Sequence, residues 1–312
     1  MTQIAIVGAG IAGLACARKL RQEGIQTVIF DKGRGIGGRV ATRRSGDFTF
    51  NHGTPHITAT GNTFSTYLRE ISVLGHATSW TGDNGRKWTF GTPSMSAIPK
   101  AMSIGLDIRS NTQITAIHAD TTGWRLYHDD ATYLATHVVM TVPAPQVAGL
   151  LGDTHLFSAQ ISRVEMTPEL TLMAIVTGEV PTVIPNTYNE PLTKITLNRD
   201  NFDRLQGKVS AWVAHAGLSF SKAHLEKNLS DIAEQMLPLF CERLNIMPKR
   251  ITHAAAHRWR YSRVVKSLGK PFLSSPDKTL YLGGDWCIGS KVEAAWDSGT
   301  AIATDMLEQG LC

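Results

Sequence analysis

At 312 residues the chain is long enough for about two domains of roughly 150 residues each, which excludes a peptide hormone or a disulfide knot. With 42% apolar and 18% charged residues, 28 Gly and 13 Pro, it reads as an ordinary globular protein and not as a disordered or collagen-like one. Lys plus Arg exceed Asp plus Glu by 31 to 26; the surplus suits an anionic ligand but is too thinly spread to mark a nucleic-acid partner. Cys16, Cys241, Cys287 and Cys312 form no CxxC pair and no His/Cys cluster at metal-ligand spacing, so free thiols and no metal are expected. The start has no basic leader and no apolar run approaches a membrane span, which makes a cytoplasmic protein without membrane partners the expectation.

In chain order, residues 4–7 form an apolar strand, a glycine turn follows, and an Ala-rich helix over about 13–23 is closed by Gly24 before a second strand over 27–30. This is one βαβ unit. A Gly- and Arg-rich loop over 33–44 leads to a helix capped by Asn62, with Phe64, Leu68 and Ile71 on one face and Gly75 at its end. Asp83-Asn84-Gly85 between two strand-like runs predicts a hairpin. Strands are expected over 114–119, 124–127 and 137–142, and again over 170–176, 194–197 and 209–214. One long helix from about Ser221 is expected to kink or break at Pro238. A strand over 280–282, the turn Gly283-Gly284-Asp285 and an amphipathic helix over 292–307 complete the chain.

Gly8-Ala9-Gly10-Ile11-Ala12-Gly13 is a GxGxxG that follows a strand and opens a helix, the context in which the pattern marks a dinucleotide site. Gly8 permits the turn, Gly10 lets backbone approach a diphosphate, and Gly13 lets helix and strand pack closely, while the helix N-terminus offers unpaired N–H groups to the anion. Asp31, ending the second strand, is placed to accept both ribose hydroxyls of an adenosine. A second GxGxxG, Gly33 to Gly38, has no strand before it and no helix after it. It reads as an extension of the first site, with Gly37 and Gly38 approaching a phosphate and Arg39 forking onto one. These features leave NAD or FAD open.

Asp31-Lys32 with Gly37-Gly38-Arg39, joined late in the chain by strand, Gly283-Gly284-Asp285 and a long helix, resembles the glutathione-reductase-type FAD fold of the flavin amine oxidase superfamily. Within it the chain is similar to the renalase family. The likeness rests on Ile6 to Gly10, Asp31-Lys32, Gly37 to Arg39, His52 to Ile57, Met140 to Pro145, Trp259 to Ser262 and Gly283 to Asp285, in that order. The resemblance implies an α/β fold: a Rossmann-like FAD-binding domain from 1–75, 105–150 and 265–312, and an inserted α+β substrate domain, on a mixed or antiparallel sheet, from 76–104 and 151–264. It implies FAD, held non-covalently by Gly8, Gly10, Ala12, Gly13, Asp31, Lys32, Gly38, Arg39, Pro55, His56, Ile114, Gly284, Asp285 and the backbone near Val292, where a positive helix end would face the flavin pyrimidine ring. Two departures bear on the substrate side. Tyr261 stands where vertebrate members have His, and Trp286-Cys287 follows Asp285 in place of smaller or different residues.

Renalases are flavin oxidases of 2- or 6-dihydro isomers of NAD(P)H, yielding NAD(P)⁺ and, from O₂, H₂O₂. Hydride transfer from a dihydropyridine needs no general base, and the chain shows no Ser/His/Asp constellation; it needs stacking and shape. Candidates to stack on a dinucleotide substrate are Trp259, Tyr261, Trp212 and Tyr188, with Trp286 as a further wall. Arg258, Arg260, Arg263 and Lys266 either meet its diphosphate or form a solvated strand face. An amine oxidase is the alternative, although the 170–176 strand lacks the expected Lys and Lys194 is the nearest candidate. A non-catalytic binding protein of the same fold is a second alternative. Cys287 is expected to be a buried thiol and not a covalent flavin link.

Overall fold

The computed structural model describes residues 3–82, 85–179, 190–198 and 208–310. The opening unit is β1 (Ile4–Val7), α1 (Ile11–Gln22) and β2 (Thr27–Phe30). A short turn of 3-10 helix at Gly38–Val40 leads to the hairpin β3 (Arg43–Ser45) and β4 (Phe48–Phe50), then α2 (Asn62–Val73) and a second hairpin, β5 (Ala77–Thr81) with β6 (Lys87–Gly91). The Asp83-Asn84 part of that turn lies outside the described residues. After α3 (Ala97–Met102) and β7 (Asp107–Arg109) comes an antiparallel meander of β8 (Ile114–Asp120), β9 (Gly123–His128) and β10 (Ala131–Ala135), followed by β11 (His137–Met140), α4 (Ala144–Leu151) and α5 (Ser158–Ile161). The remainder is β12 (Glu165–Thr177), β13 (Leu192–Asn198), β14 (Val209–Ala216), α6 (Leu218–Ala223), α7 (Leu229–Leu244), β15 (Ile251–Lys266), β16 (Phe272–Ser274), β17 (Leu280–Gly283), α8 (Asp285–Ile288) and α9 (Val292–Glu308).

The central sheet runs β16-β17-β11-β1-β2-β7 and is parallel except for β16. Its middle strand is apolar at every position because both faces are covered: Ile4 and Ile6 pack under α1, α2 and α9, whereas Ala5 and Val7 pack under the meander and α4. The late strand β17 pairs with β11, which pairs with β1, so residues 280–283 extend a sheet begun at residue 4. The late helix follows the same logic. A Cβ on Gly299 of α9 would stand 2.0 Å from the Ala12 carbonyl oxygen, so only glycine lets α9 lie this close to α1.

The second sheet, β13-β14-β12-β15, is antiparallel. Leu170, Leu172, Ala174 and Val176 of β12 pack on Ile232, Met236 and Phe240 of α7, while Met173 and Ile175 on the other face pack with Phe50 of β4. Each such fully buried large side chain contributes about 1.5–3 kcal/mol. One sheet face is therefore sealed by α7. The other is closed by the β3–β4 hairpin at its Ile175 end and turns toward the glycine turn at its Glu169 end.

Three local expectations need correction. The long helix from Ser221 is two helices, α6 and α7, parted at His224–Asn228, and Ser221 is buried with its hydroxyl oxygen accepting the Leu170 amide. Pro238 does not break α7, because it lies on the exposed side, where the carbonyl of exposed Glu234, deprived of its partner, is free to take water. Asn62 is not the cap of α2. Gly61 holds that position, and its amide with that of Thr60 donates to the Glu293 carboxylate of α9 at 2.6 and 2.8 Å.

Candidate functional site

The glycine turn is built as its residue types demand. Gly8 has φ +109°, which side-chain-bearing residues rarely adopt, and a Cβ on Gly13 would sit 2.1 Å from the Gly8 carbonyl oxygen. Gly10 differs: its φ of −76° is ordinary and nothing lies within 4 Å of where its Cβ would be. Steric fit of the protein to itself therefore explains Gly8 and Gly13 but not Gly10. The space at Gly10, at the N-terminus of α1, fits the diphosphate of a dinucleotide.

The Asp31 carboxylate bridges this turn and the next loop, accepting the Ala9 amide on Oδ2 and the Gly33 amide on Oδ1, both at 2.7 Å. The Gly33–Gly38 segment then folds back over the turn: the Gly37 amide donates to the Ala9 carbonyl at 2.8 Å, and Gly38, at φ +53°, would bring a Cβ to 3.6 Å from the Gly10 Cα. Lys32 is exposed and reaches Gln146 on α4 at 3.4 Å.

Arg39 ties the distant parts of the chain together. Its guanidinium makes a bidentate pair with Asp285 at 2.6 and 2.7 Å and donates to the Ser262 carbonyl of β15 at 3.0 Å. Its own carbonyl accepts the Thr54 amide, and a Cβ on Gly53 would lie 2.1 Å from it. Asp285 opens α8 behind Gly284, whose amide donates to Ser298. The Gly284-Asp285 turn and β15 thus meet at the Arg39 guanidinium, the 51–57 loop meets its backbone carbonyl, and the β1–α1 turn meets the glycines just before it. Ile114 sets its side chain in the core beside β2, and Val292 starts α9 half-buried against the α1 side. Pro55 and His56 sit half-buried on the 51–57 loop.

On the sheet face opposite α7, β15 presents Trp259 and His257 to the 51–57 loop. Trp259 donates its indole N–H to the His52 carbonyl at 3.0 Å and stacks on the His52 ring at 5.0 Å between centroids, while His257 meets that ring edge-on at 4.6 Å. Tyr261 is half-buried two residues on, in the irregular stretch where the β12–β15 register slips between Thr167 and Glu169. Trp212 does not belong here. It occupies the opposite face of β14, fully buried against Phe240 of α7, with its N–H on Ser210, so it is core. Trp286 is also core, donating to the Val142 carbonyl, and Tyr188 lies outside the described residues. Nor do the basic residues of β15 act together: Arg258 and Arg260 turn to Glu226, Lys266 to Glu165, and only Arg263 turns to Glu169.

Three rings of the site are held uncharged. Burial, aided by the neighbouring His257 ring, with which it cannot share a second proton, and by the charge of Arg43, lowers His52 to about 3; burial, aided by Lys194 and Arg86, lowers His56 to about 4; burial and Arg43 lower His257 to about 4. Sequence reasoning missed a buried acid. Glu169 accepts from His215 Nδ1, Ser262 Oγ and Arg263, and although burial opposes its ionisation these partners hold it at about 2. Its one visible signal was a carboxylate set against the apolar run of β12. Cys16, Cys241 and Cys287 are buried free thiols, and burial pushes Cys16 up to about 12. Among the described residues no helix is long and apolar enough to cross a membrane.

A Rossmann-like parallel sheet, a glycine turn with open space at its middle residue and a second, antiparallel sheet tied to it through Arg39 are the frame of a dinucleotide-cofactor protein. The comparisons place it. Residues 6–71 match the NAD(P)-binding Rossmann-like domain, and residues 75–307 match the family described as flavin containing amine oxidoreductase, to which the chain belongs. It is a renalase-like member: it is 25% identical to renalase from Mus musculus, over 88% of this chain and 91% of that one. A 4,4'-diapophytoene desaturase from Staphylococcus haemolyticus is 46% identical, over only 16% of this chain. Cyclohexylamine oxidase from Brevibacterium oxydans superposes with a TM-score of 0.71 at 12% identity, covering 99% of each chain, and putrescine oxidase bound to putrescine with 0.69 at 12%, covering 98% and 99%. With the family goes the cofactor, FAD bound without a covalent link, and the open space at Gly10 fits it.

Proposed function

We propose that this protein is an FAD-dependent oxidase of misreduced nicotinamide dinucleotides, the 2- or 6-dihydro isomers of NAD(P)H. In this reading 1–75, 105–150 and 265–312 hold FAD in a glutathione-reductase-type arrangement, and 76–104 with 151–264 roof it. Gly8, Gly10, Ala12 and Gly13 take the diphosphate, Asp31 the adenosine ribose, Lys32, Gly38 and Arg39 the phosphate side. Pro55, His56, Ile114, Gly284, Asp285 and the Val292 end of α9 line the remainder. When bound, FAD supplies a two-electron acceptor, so the dihydropyridine gives up a hydride and regains aromaticity as NAD(P)⁺, and O₂ ends as H₂O₂.

The observation that carries this reading is the charge of the substrate side. Lys194, Arg43 and Arg86 lie near enough to act on His52, His56 or His257, the charge of Arg263 is offset by the Glu169 carboxylate, and the histidine rings among them are neutral. Primary amines are cations at neutral pH and are repelled by such a field, whereas a dinucleotide is a polyanion carrying a neutral ring. The flat rings of Trp259 and Tyr261 suit that ring, and no proton need be removed from it.

One observation favours an amine oxidase as the second reading. Lys194 of β13 lies on the site-facing side of the sheet, and its ammonium makes no hydrogen bond or ion pair among the described residues. Anaerobic mixing of the oxidised holoprotein with 2-dihydro, 6-dihydro and ordinary 4-dihydro NAD(P)H, and separately with primary amines and polyamines, separates the two. Rapid bleaching near 450 nm by a 2- or 6-dihydro isomer is expected; bleaching by an amine alone overturns the proposal. A protein that is colourless and takes up no FAD overturns both enzymatic readings in favour of a binding protein.

A further inference from the structure

One row of side chains crosses all four strands of the second sheet at the same level. In register stand Lys194 of β13, His215 of β14, Thr171 of β12 and His257 of β15. Thr171 alternates with Leu170 and Leu172, which pack on the α7 side, so the row faces the opposite way, toward His52 of the 51–57 loop. The neighbouring row, Thr196, Val213, Met173 and Ala255, is largely apolar.

Three members of the polar row each hold a polar atom without a partner. His215 is 3% exposed and its Nε2 has no hydrogen-bond partner; the Thr171 hydroxyl, in register beside it, is fully buried and has none; and Lys194 on its other side makes none among the described residues. Leaving a buried polar atom unpaired costs about 1–3 kcal/mol, so such atoms mark the place of a missing partner. The tautomer at His215 follows from geometry. Its Nδ1 is 3.1 Å from Glu169 Oε2, an ionised carboxylate that only accepts, so Nδ1 carries the hydrogen, and in that tautomer Nε2 is the acceptor of the ring. The second oxygen of Glu169 is occupied by Arg263, and Ser262 adds a further donor, which holds the carboxylate in place.

An acceptor flanked by a donor on each side is complementary to a group holding one N–H donor and one carbonyl oxygen on a single planar carbon. We infer that the Lys194–His215–Thr171 row is a subsite for a primary carboxamide, the amide N–H donating to His215 Nε2 and the amide oxygen accepting from Lys194. The inference rests on the reading of the substrate as a dihydronicotinamide, whose 3-carboxamide is the group held. Holding it fixes which edge of the ring lies outward and so selects among dihydro isomers; Glu169 acts through His215 as a positioning residue.

The test uses the holoprotein under anaerobic conditions with dihydro dinucleotides prepared by chemical reduction, in three forms: the carboxamide, the 3-acetyl analogue, which keeps the carbonyl but has no N–H, and the 3-carboxylate. Flavin bleaching gives the apparent Kd of each. The wild-type protein is expected to prefer the carboxamide to the acetyl analogue about tenfold or more, because the analogue leaves Nε2 unpaired. His215→Phe is expected to bring that ratio near one, whereas Lys194→Met weakens both ligands about equally and leaves the ratio intact. The ratio is not moved by a merely structural lesion, and the wild-type series keeps the test decisive if His215→Phe does not fold. Equal wild-type affinity for amide and acetyl analogues, or a ratio unchanged in His215→Phe, overturns the subsite while leaving the oxidase reading standing. Absence of bleaching by every dihydropyridine overturns that reading and the subsite with it.

Discussion

Replacing Gly10 with Ala separates what this turn does for the fold from what it does for the cofactor. The new methyl meets nothing within 4 Å and the backbone is already in an ordinary conformation, so it neither clashes nor strains. A slight gain from a stiffer unfolded chain opposes a slight loss at the helix cap, and the apoprotein is expected to melt within about 2 °C of wild type. The same methyl fills the space assigned to the diphosphate. Losing one charge-assisted hydrogen bond there costs about 2 kcal/mol, a weakening of FAD binding of roughly 30-fold. The assays are fluorescence titration of apoprotein with FAD and a thermal melt of each apoprotein. Gly13→Ala is the control with the opposite sign of interest: its methyl would lie 2.1 Å from a carbonyl oxygen, so the fold itself loses about 3 kcal/mol. A Gly10→Ala protein that binds FAD as tightly as wild type, or whose apoprotein is as damaged as Gly13→Ala, refutes the reasoning.

Other outcomes follow from the site's charges and packing. Arg39→Met leaves the buried Asp285 carboxylate without its bidentate partner and is expected to cost about 3 kcal/mol in urea unfolding, whereas Arg39→Met with Asp285→Leu recovers part of it. Glu169 ionises near 4.5 when free and near about 2 when folded, so the stability it lends, roughly 3 kcal/mol, is complete above pH 4.5 and is lost as pH falls toward 2; a Glu169→Gln protein shows a flatter acid limb in that window. His52, His56 and His257 refuse protons that the unfolded chain takes up below pH 6.5, so unfolding free energy should drop between pH 6.5 and about 3, less steeply in His257→Phe. Trp212→Leu is expected to lower the melting temperature through lost core packing without changing the apparent Kd for a dinucleotide, while Trp259→Leu raises that Kd.

The parts of the molecule that were legible beforehand are those whose residues are dictated by neighbours in sequence. Gly8 and Gly13 answer to contacts within one turn, and the apolar run of β1 answers to a sheet covered on both faces. What was hidden depends on partners far along the chain. Trp212 sits in a strand with apolar residues on both faces, because α7 covers one and Phe50 with Met173 the other, so alternation alone did not tell which way the indole points. The Arg39–Asp285 pair, the Glu169–His215 bond and the carboxylate of Glu293 at the head of α2 each join residues more than forty positions apart. Pro238 misled for a related reason: its cost depends on whether the carbonyl it strands faces water, which only the packed helix decides.

The position of Gly299 against Ala12 has a consequence for how the protein comes into being. While the ribosome is still extending the chain, β1 and α1 have only one flank of their eventual sheet, and the residues that cover α1 and supply Asp285 do not yet exist. The N-terminal turn must wait, exposed, until residues 280–308 have been made. Chains that stop short of residue 280 are therefore expected to be colourless and sensitive to protease, because they lack the helix that packs on Ala12 and the carboxylate that pairs Arg39.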